Sequence, residues 1–89
     1  MATVSFTSAL QRFLPAPPAK VKGGTVGAAL AVVFASRPAL RGYVLDDQGA
    51  LRRHVAVYVN GQPVHDRIRL TDPVGTHDEI YVFQALSGG

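Results

Sequence analysis

A chain of 89 residues, 47% apolar and 17% charged, has room for one small domain with its own core, which excludes a two-domain architecture and a disordered tail. It contains no cysteine, so disulfides, thiolate metal sites and a catalytic thiol are excluded, and any sulfur chemistry must use sulfur from elsewhere. The net charge of +3 comes from nine bases spread along the chain from Arg12 to Arg69, without the basic stripe and interleaved aromatic rings of a nucleic-acid module.

In chain order, Val4 and Phe6 alternate with Thr3, Ser5 and Thr7, the period of a half-buried strand. Leu14-Pro15-Ala16-Pro17-Pro18 cannot donate a regular ladder of hydrogen bonds, which predicts a loop and then a short edge strand from Ala19 to Lys22. After Gly23-Gly24, Thr25 has the chemistry of a helix N-cap, and Val26, Leu30, Val33 and Phe34 follow at helical spacing. Arg37-Pro38 closes that helix, because a residue before proline is pushed out of the α region.

From Ala39 to Leu51, Leu40, Tyr43, Val44 and Leu45 predict a short helical turn, and Asp46-Asp47-Gln48-Gly49 a chain reversal. Val55, Val57 and Val59 then alternate with His54, Ala56 and Tyr58 up to Asn60-Gly61, a strong hairpin signal because both residues tolerate positive φ. A return strand is expected within Val64 to Leu70, broken by Thr71-Asp72-Pro73, and a last strand from Ile80 to Ala85. The order β-β-α-β-(β)-β predicts an α+β roll, one main helix across a mixed sheet of four to five strands. Val4, Phe6, Val55, Val57, Val59, Ile80 and Val82 are expected to face the helix. Alternation then sends Ala56, Tyr58, Tyr81 and Phe83 to the opposite face, left for solvent or another protein.

The longest near-continuous apolar run, Val26 to Ala35, is shorter than the ~20 residues of a membrane span. Met1-Ala2-Thr3-Val4 has neither the charged start nor the apolar core of a signal peptide. A soluble, cytoplasmic protein without membrane partners is therefore expected. Its last residues, Leu86-Ser87-Gly88-Gly89, follow directly on the expected strand. Glycine lacks a Cβ and lets another protein's groove close around the backbone, so Gly-Gly reads as a reactive end with its chemistry on the Gly89 carboxylate. A frayed polar terminus is the other reading.

Two segments, Asp78-Glu79-Ile80-Tyr81-Val82 leading to Ser87-Gly88-Gly89, and His54-Val55-Ala56-Val57-Tyr58-Val59-Asn60-Gly61, resemble the ubiquitin-like β-grasp sulfur carriers of the MoaD/ThiS type. That family includes the small subunit of molybdopterin synthase and the thiamine-biosynthesis carrier. Leu40 to Gly61 looks most like the branch that serves cysteine biosynthesis, while Gln84 stands where many members have proline. The resemblance covers nearly the whole chain and implies a β-grasp domain over residues 1–85 with a flexible reactive tail over 86–89.

By the same resemblance, an activating enzyme related to the ubiquitin E1 uses ATP to adenylate the Gly89 carboxylate, and a sulfur donor converts it to a thiocarboxylate. The sulfur then passes to a synthase of cysteine, molybdopterin, thiamine or similar biosynthesis. The protein is then a carrier and co-substrate and not an enzyme, with no cofactor bound. A bare carboxylate is a poor acyl donor until it becomes an anhydride, which agrees with this chemistry. Leu86 to Gly89, extended at about 3.3 Å per residue, reach ~13 Å, enough to enter a pocket while the body stays outside. Partner binding is expected at Leu86, Ser87, Gly88, Phe83, Tyr81 and Tyr58. The rival expectation is a ubiquitin-like modifier joined through Gly89 to lysines of target proteins, and a third is a binding module that has lost activation.

Other chemistry finds little support. His65-Asp66 and His77-Asp78 are adjacent pairs whose side chains would diverge on a strand, so no metal site is expected. Gly23-Gly24-Thr25 lacks the Lys-Ser/Thr of a phosphate loop, and no serine sits in a nucleophile elbow. Tyr58, Tyr81 and Phe83 suit docking by the activating enzyme or the sulfur acceptor. Otherwise they only cover the sheet, shielded by stems such as Arg12 or Arg53.

Overall fold

A computed structural model describes residues 1–7, 18–22 and 24–84. In strand β1, Ala2–Phe6, the buried residues are Ala2, Val4 and Phe6, so the alternation read from the sequence is the alternation of the core. An edge strand, β2 (Ala19–Val21), pairs antiparallel with β1, placing Val21 opposite Ala2 and Ala19 opposite Val4. The helix α1, Val26–Ser36, begins at Thr25, whose extended backbone leaves its Oγ1 free to accept the Ala28 amide at 3.1 Å. That bond satisfies one of the amides a helix start leaves unpaired. Val26, Ala29, Leu30, Val33 and Phe34 form the buried stripe, the expected four residues plus Ala29.

Arg37, held out of the helical region before Pro38, ends α1 and donates its amide to Val33 O at 2.9 Å. Pro38 then occupies the first turn of a second helix, α2 (Pro38–Val44), where its missing N–H costs nothing. This is a seven-residue helix where only a turn was expected, anchored by buried Leu40 and Val44 one turn apart. An isolated bridge between Leu45 and Leu51 closes the reversal that follows. Asp46 organises that reversal by accepting the Gln48 and Ala50 amides at 2.9 and 3.1 Å.

Strand β3, Val55–Val59, turns through Asn60 and Gly61, at φ 51° and 82°, into β4 (Gln62–Pro63). Positive φ at both positions is what makes an Asn-Gly hairpin match the twist of its strands. The return strand expected within Val64 to Leu70 is not formed. Register pairing covers Tyr58 with Pro63 and Val59 with Gln62, and the Val64 amide adds one more bond, to Val57 O at 3.0 Å, before the chain leaves the sheet. Beyond it Asp66 bends the chain, its Oδ1 accepting the amides of Ile68 and Arg69 at 3.1 and 2.8 Å.

Strand β5, Glu79–Gln84, completes a mixed sheet of order β2-β1-β5-β3-β4. It starts one residue earlier than expected, and Ala85 lies outside the described residues. β5 runs parallel to β1, with Val4 beside Ile80 and Phe6 beside Val82, and antiparallel to β3, with Val57 beside Val82. The side chains of Val4, Phe6, Val55, Val57, Ile80 and Val82 meet the α1 stripe in one core, and Val59 packs against it half-buried. This is the β-grasp arrangement expected from the sequence, with a second short helix added.

Candidate functional site

With Ile80 and Val82 of β5 turned to the core, Tyr81 and Phe83 must face the other way. Tyr81 and Phe83 are 40% and 42% exposed there, and Tyr58 stands opposite Tyr81 on β3. The three rings form one cluster. Phe83 meets Tyr58 edge-on with centroids 5.3 Å apart and Tyr81 at 4.6 Å with a 45° tilt. Such offset geometries suit the ring quadrupoles, so the cluster is a formed surface and not three loose side chains. The outward placement of Tyr58, Tyr81 and Phe83 therefore agrees with the alternation argument.

A groove of about 430 Å³ opens on this face, lined by the three rings together with Ser5, Asn60 and Glu79. Its polar end is stiffened by contacts between residues far apart in sequence. The Asn60 side chain donates to Asp78 Oδ1 at 2.8 Å and accepts the Glu79 amide at 2.9 Å, while the Asn60 amide donates to Glu79 O at 2.8 Å. Asp78 Oδ2 in turn accepts the Gly75 amide at 2.7 Å. That amide, the Asn60 side chain and the nearby His77 charge hold the Asp78 carboxyl below its ordinary range. Asn60 and Asp78 were legible as a hairpin turn and a strand lead-in. Their pairing was not, since nothing local links positions 18 residues apart.

Leu86, Ser87, Gly88 and Gly89 lie outside the described residues, as does Arg12. The structure thus brings Tyr58 of β3 together with Tyr81 and Phe83 of β5, the strand that precedes the tail in sequence. Among the described residues, no three His, Asp or Glu side chains are placed to hold a metal ion. The His65 ring instead lies 3.3 Å from Asp72, whose carboxylate accepts the His65 and Asp66 amides at 2.8 and 2.9 Å. Among the same residues, no helix is long and apolar enough to cross a membrane.

A scan against models of protein families matches the ThiS family over residues 14–89, most of the chain and including its Gly-Gly end. The chain belongs to the ThiS family. It is thus a small ubiquitin-like protein of the sulfur-carrier family that the terminal motif and the β3 segment resemble. Among solved structures, SAMP1 from Haloferax volcanii is 28% identical, with a TM-score of 0.79 over 99% of this chain and 98% of that one. A chain of the Amycolatopsis orientalis BexX/CysO complex is 24% identical, with a TM-score of 0.84 and 100% of both chains covered. CysO of Mycobacterium tuberculosis is 24% identical, with a TM-score of 0.80 over 97% of this chain and 100% of that one. At that identity the last two speak for the fold. A search of curated proteins finds no match.

Proposed function

We propose that this ThiS-family protein is a sulfur carrier, and that its Gly89 carboxylate is the acyl group which an E1-like enzyme activates. An oxygen of that carboxylate attacks the α-phosphorus of ATP, pyrophosphate leaves, and a mixed anhydride with AMP results. Sulfur from a donor, at the level of hydrosulfide, then adds to the carbonyl and expels AMP, leaving a thiocarboxylate. The thiocarboxylate gives up its sulfur to an acceptor synthase of cysteine, molybdopterin, thiamine or similar biosynthesis. Glycine at positions 88 and 89 leaves the carboxylate oxygen free to reach the α-phosphorus and the acyl carbonyl then open to the sulfur nucleophile. Dependence on ATP fits a cytoplasmic location.

The observation that carries this reading is the family match, which runs through Ser87-Gly88-Gly89. The aromatic cluster of Tyr58, Tyr81 and Phe83 supplies the docking surface, a partly exposed apolar patch shared by β3 and β5, the strand that leads to the tail. The activating enzyme supplies the catalytic groups. The Amycolatopsis orientalis relative, solved in a complex of BexX with CysO, is a precedent for partner binding by this fold.

Incubation with a matching activating enzyme, ATP and sulfide should raise the intact mass by the exchange of one oxygen for sulfur, and deletion of Gly89 should abolish the change. An unchanged mass, with an enzyme shown to be active on another carrier, refutes the proposal. The likeness to SAMP1, a small archaeal modifier protein, favours a second reading in which Gly89 is joined by an amide bond to target lysines. Protein adducts that survive thiol reductant, and vanish when Gly89 is deleted, would identify that use.

A further inference from the structure

A second groove, of about 440 Å³, lies along α1 on the side of the sheet that carries the helix, away from the aromatic face. Leu30, Phe34, Leu45 and Leu70, each 8% exposed or less, form its floor. One wall is set by a close backbone approach. The Gly27 amide donates to Leu70 O at 2.9 Å, and a Cβ at Gly27 would stand only 3.3 Å from that oxygen. The rim carries Arg41 and Arg69, both exposed.

These two arginines differ from their neighbours. The Arg52 guanidinium donates to Gly42 O at 2.7 Å, and that of Arg67 to Arg52 O and Val55 O at 2.9 and 2.7 Å, so both work as struts within the fold. Arg41 and Arg69 have no carboxylate partner among the described residues. Nearby Asp46 and Asp66 direct their oxygens to backbone amides and the Thr71 hydroxyl. Beside Arg69, Ile68 is 70% exposed on the turn that Asp66 organises. An apolar floor between two unpaired cations is complementary to a chain that presents an apolar side chain between carboxylates. The groove is only partly enclosed, which suits an extended peptide better than a small molecule buried on most sides.

We infer that this groove docks an acidic segment of a partner protein through one apolar anchor, with its carboxylates on Arg41 and Arg69. Because the aromatic face lies on the other side of the sheet, both surfaces can be occupied together. The net charge of +3 steers such a partner toward the carrier.

The test is an amide-resolved NMR titration of the full chain with the synthetic peptide acetyl-Asp-Glu-Leu-Phe-Asp-Glu-amide. The expected result is saturable shifts at Gly27, Ala31, Ala35 and Leu70, with Tyr81 and Phe83 unmoved. Combining Arg41→Glu with Arg69→Glu should weaken binding about tenfold or more, since charge-assisted hydrogen bonds are lost. Ala31→Glu, an exposed change that keeps a good helix former, should do the same by filling the groove, with melting curves confirming that both variants fold. Shifts confined to the aromatic face, no saturable shift, or affinity indifferent to the charge reversals would overturn the inference. So would an equal response to octanoate, which assigns the groove to a small anion, or a self-associated species lost on charge reversal, which assigns it to a second copy. Thiocarboxylate formation at Gly89 is read separately by mass, so failure of either proposal is distinguishable from failure of the other.

Discussion

Replacing Ile80 and Phe83 by alanine in parallel tests the division of β5 into a structural and a docking face. Ile80 is 1% exposed and lies between Val4 of β1 and Val59 of β3, so Ile80→Ala leaves a cavity in the middle of the core. Such truncations cost about 2–5 kcal/mol. At roughly 0.05–0.15 kcal/mol per residue, a domain of this length has about 4–13 kcal/mol of stability, so that change removes a large share of it. Phe83 is 42% exposed and its packing is mainly the two ring contacts to Tyr58 and Tyr81. At about 0.5–1.5 kcal/mol per ring pair, discounted because water already reaches the rings, Phe83→Ala costs about 1–2 kcal/mol. The corresponding fall in melting temperature is about 5–15 °C, which leaves the protein folded at assay temperature. A central docking anchor is worth about 2 kcal/mol or more, so adenylation of Phe83→Ala at limiting enzyme should slow about 30-fold. Thermal melting and the adenylation rate are measured on the same preparations. If Phe83→Ala unfolds the domain while Ile80→Ala is tolerated, the two faces are reversed. If Phe83→Ala is activated at the normal rate, the aromatic cluster only covers the sheet.

Leu30→Ala, at the centre of the α1 stripe and 1% exposed, should cost about 2–5 kcal/mol, checked by its denaturant midpoint; an unchanged midpoint would mean that α1 does not pack on the sheet as described. Asp66, Asp72 and Asp78 are all held below the ordinary carboxylate range by hydrogen bonds, chiefly the amides of Arg69, His65 and Gly75 respectively. A pKa depressed by folding contributes stability that is present above the unfolded value of about 3.8 and lost as pH falls through the folded value. Melting temperature should therefore decline as the solution is acidified below about pH 5, and Asp78→Asn should make that decline shallower. A melting temperature that rises on acidification would contradict the assignment.

How much of this was legible depends on the range of the interaction responsible. The faces of β3 and β5 follow from a period of two, so Val55, Val57, Ile80 and Val82 were assigned inward and Tyr58, Tyr81 and Phe83 outward correctly. The Thr25 cap and the Asn60-Gly61 turn are also local, and both formed where expected. The segment from Val64 to Leu70 was misread because its apolar residues imitate a strand. Val64, Leu70 and Val74 are indeed buried, but they reach the core from a loop shaped by the Asp66 and Asp72 carboxylates. Leu70 even sits at φ 56°, a conformation no pattern of leucines announces. Helix α2 was underestimated because two buried residues one turn apart, with Gly42 between them, make a weak periodic signal. The aromatic residues of the site were legible individually, whereas the Asn60–Asp78 contact at the end of their groove depended on tertiary proximity alone.

Strand β5 joins these threads, because it is paired on both edges and its last residue, Gln84, is still in register with Val55. A strand hydrogen-bonded to two neighbours cannot slide, so the point from which the tail leaves is fixed relative to the rings of Tyr81 and Phe83. From Phe83 to Gly89 is six residues, a span of at most about 20 Å at roughly 3.3 Å each. If an enzyme grips the aromatic face as proposed, its adenylation centre must lie within that radius, with the tail as a tether of set length. Deleting Ala85 shortens the tether by one residue and leaves Gly88-Gly89 in place. Such a variant should melt normally and still compete with the intact chain for the enzyme, yet form thiocarboxylate more slowly. Equal rates for the two chains would mean that the enzyme's grip on the body and its chemistry on the tail are independent, and that the register of β5 serves the core alone.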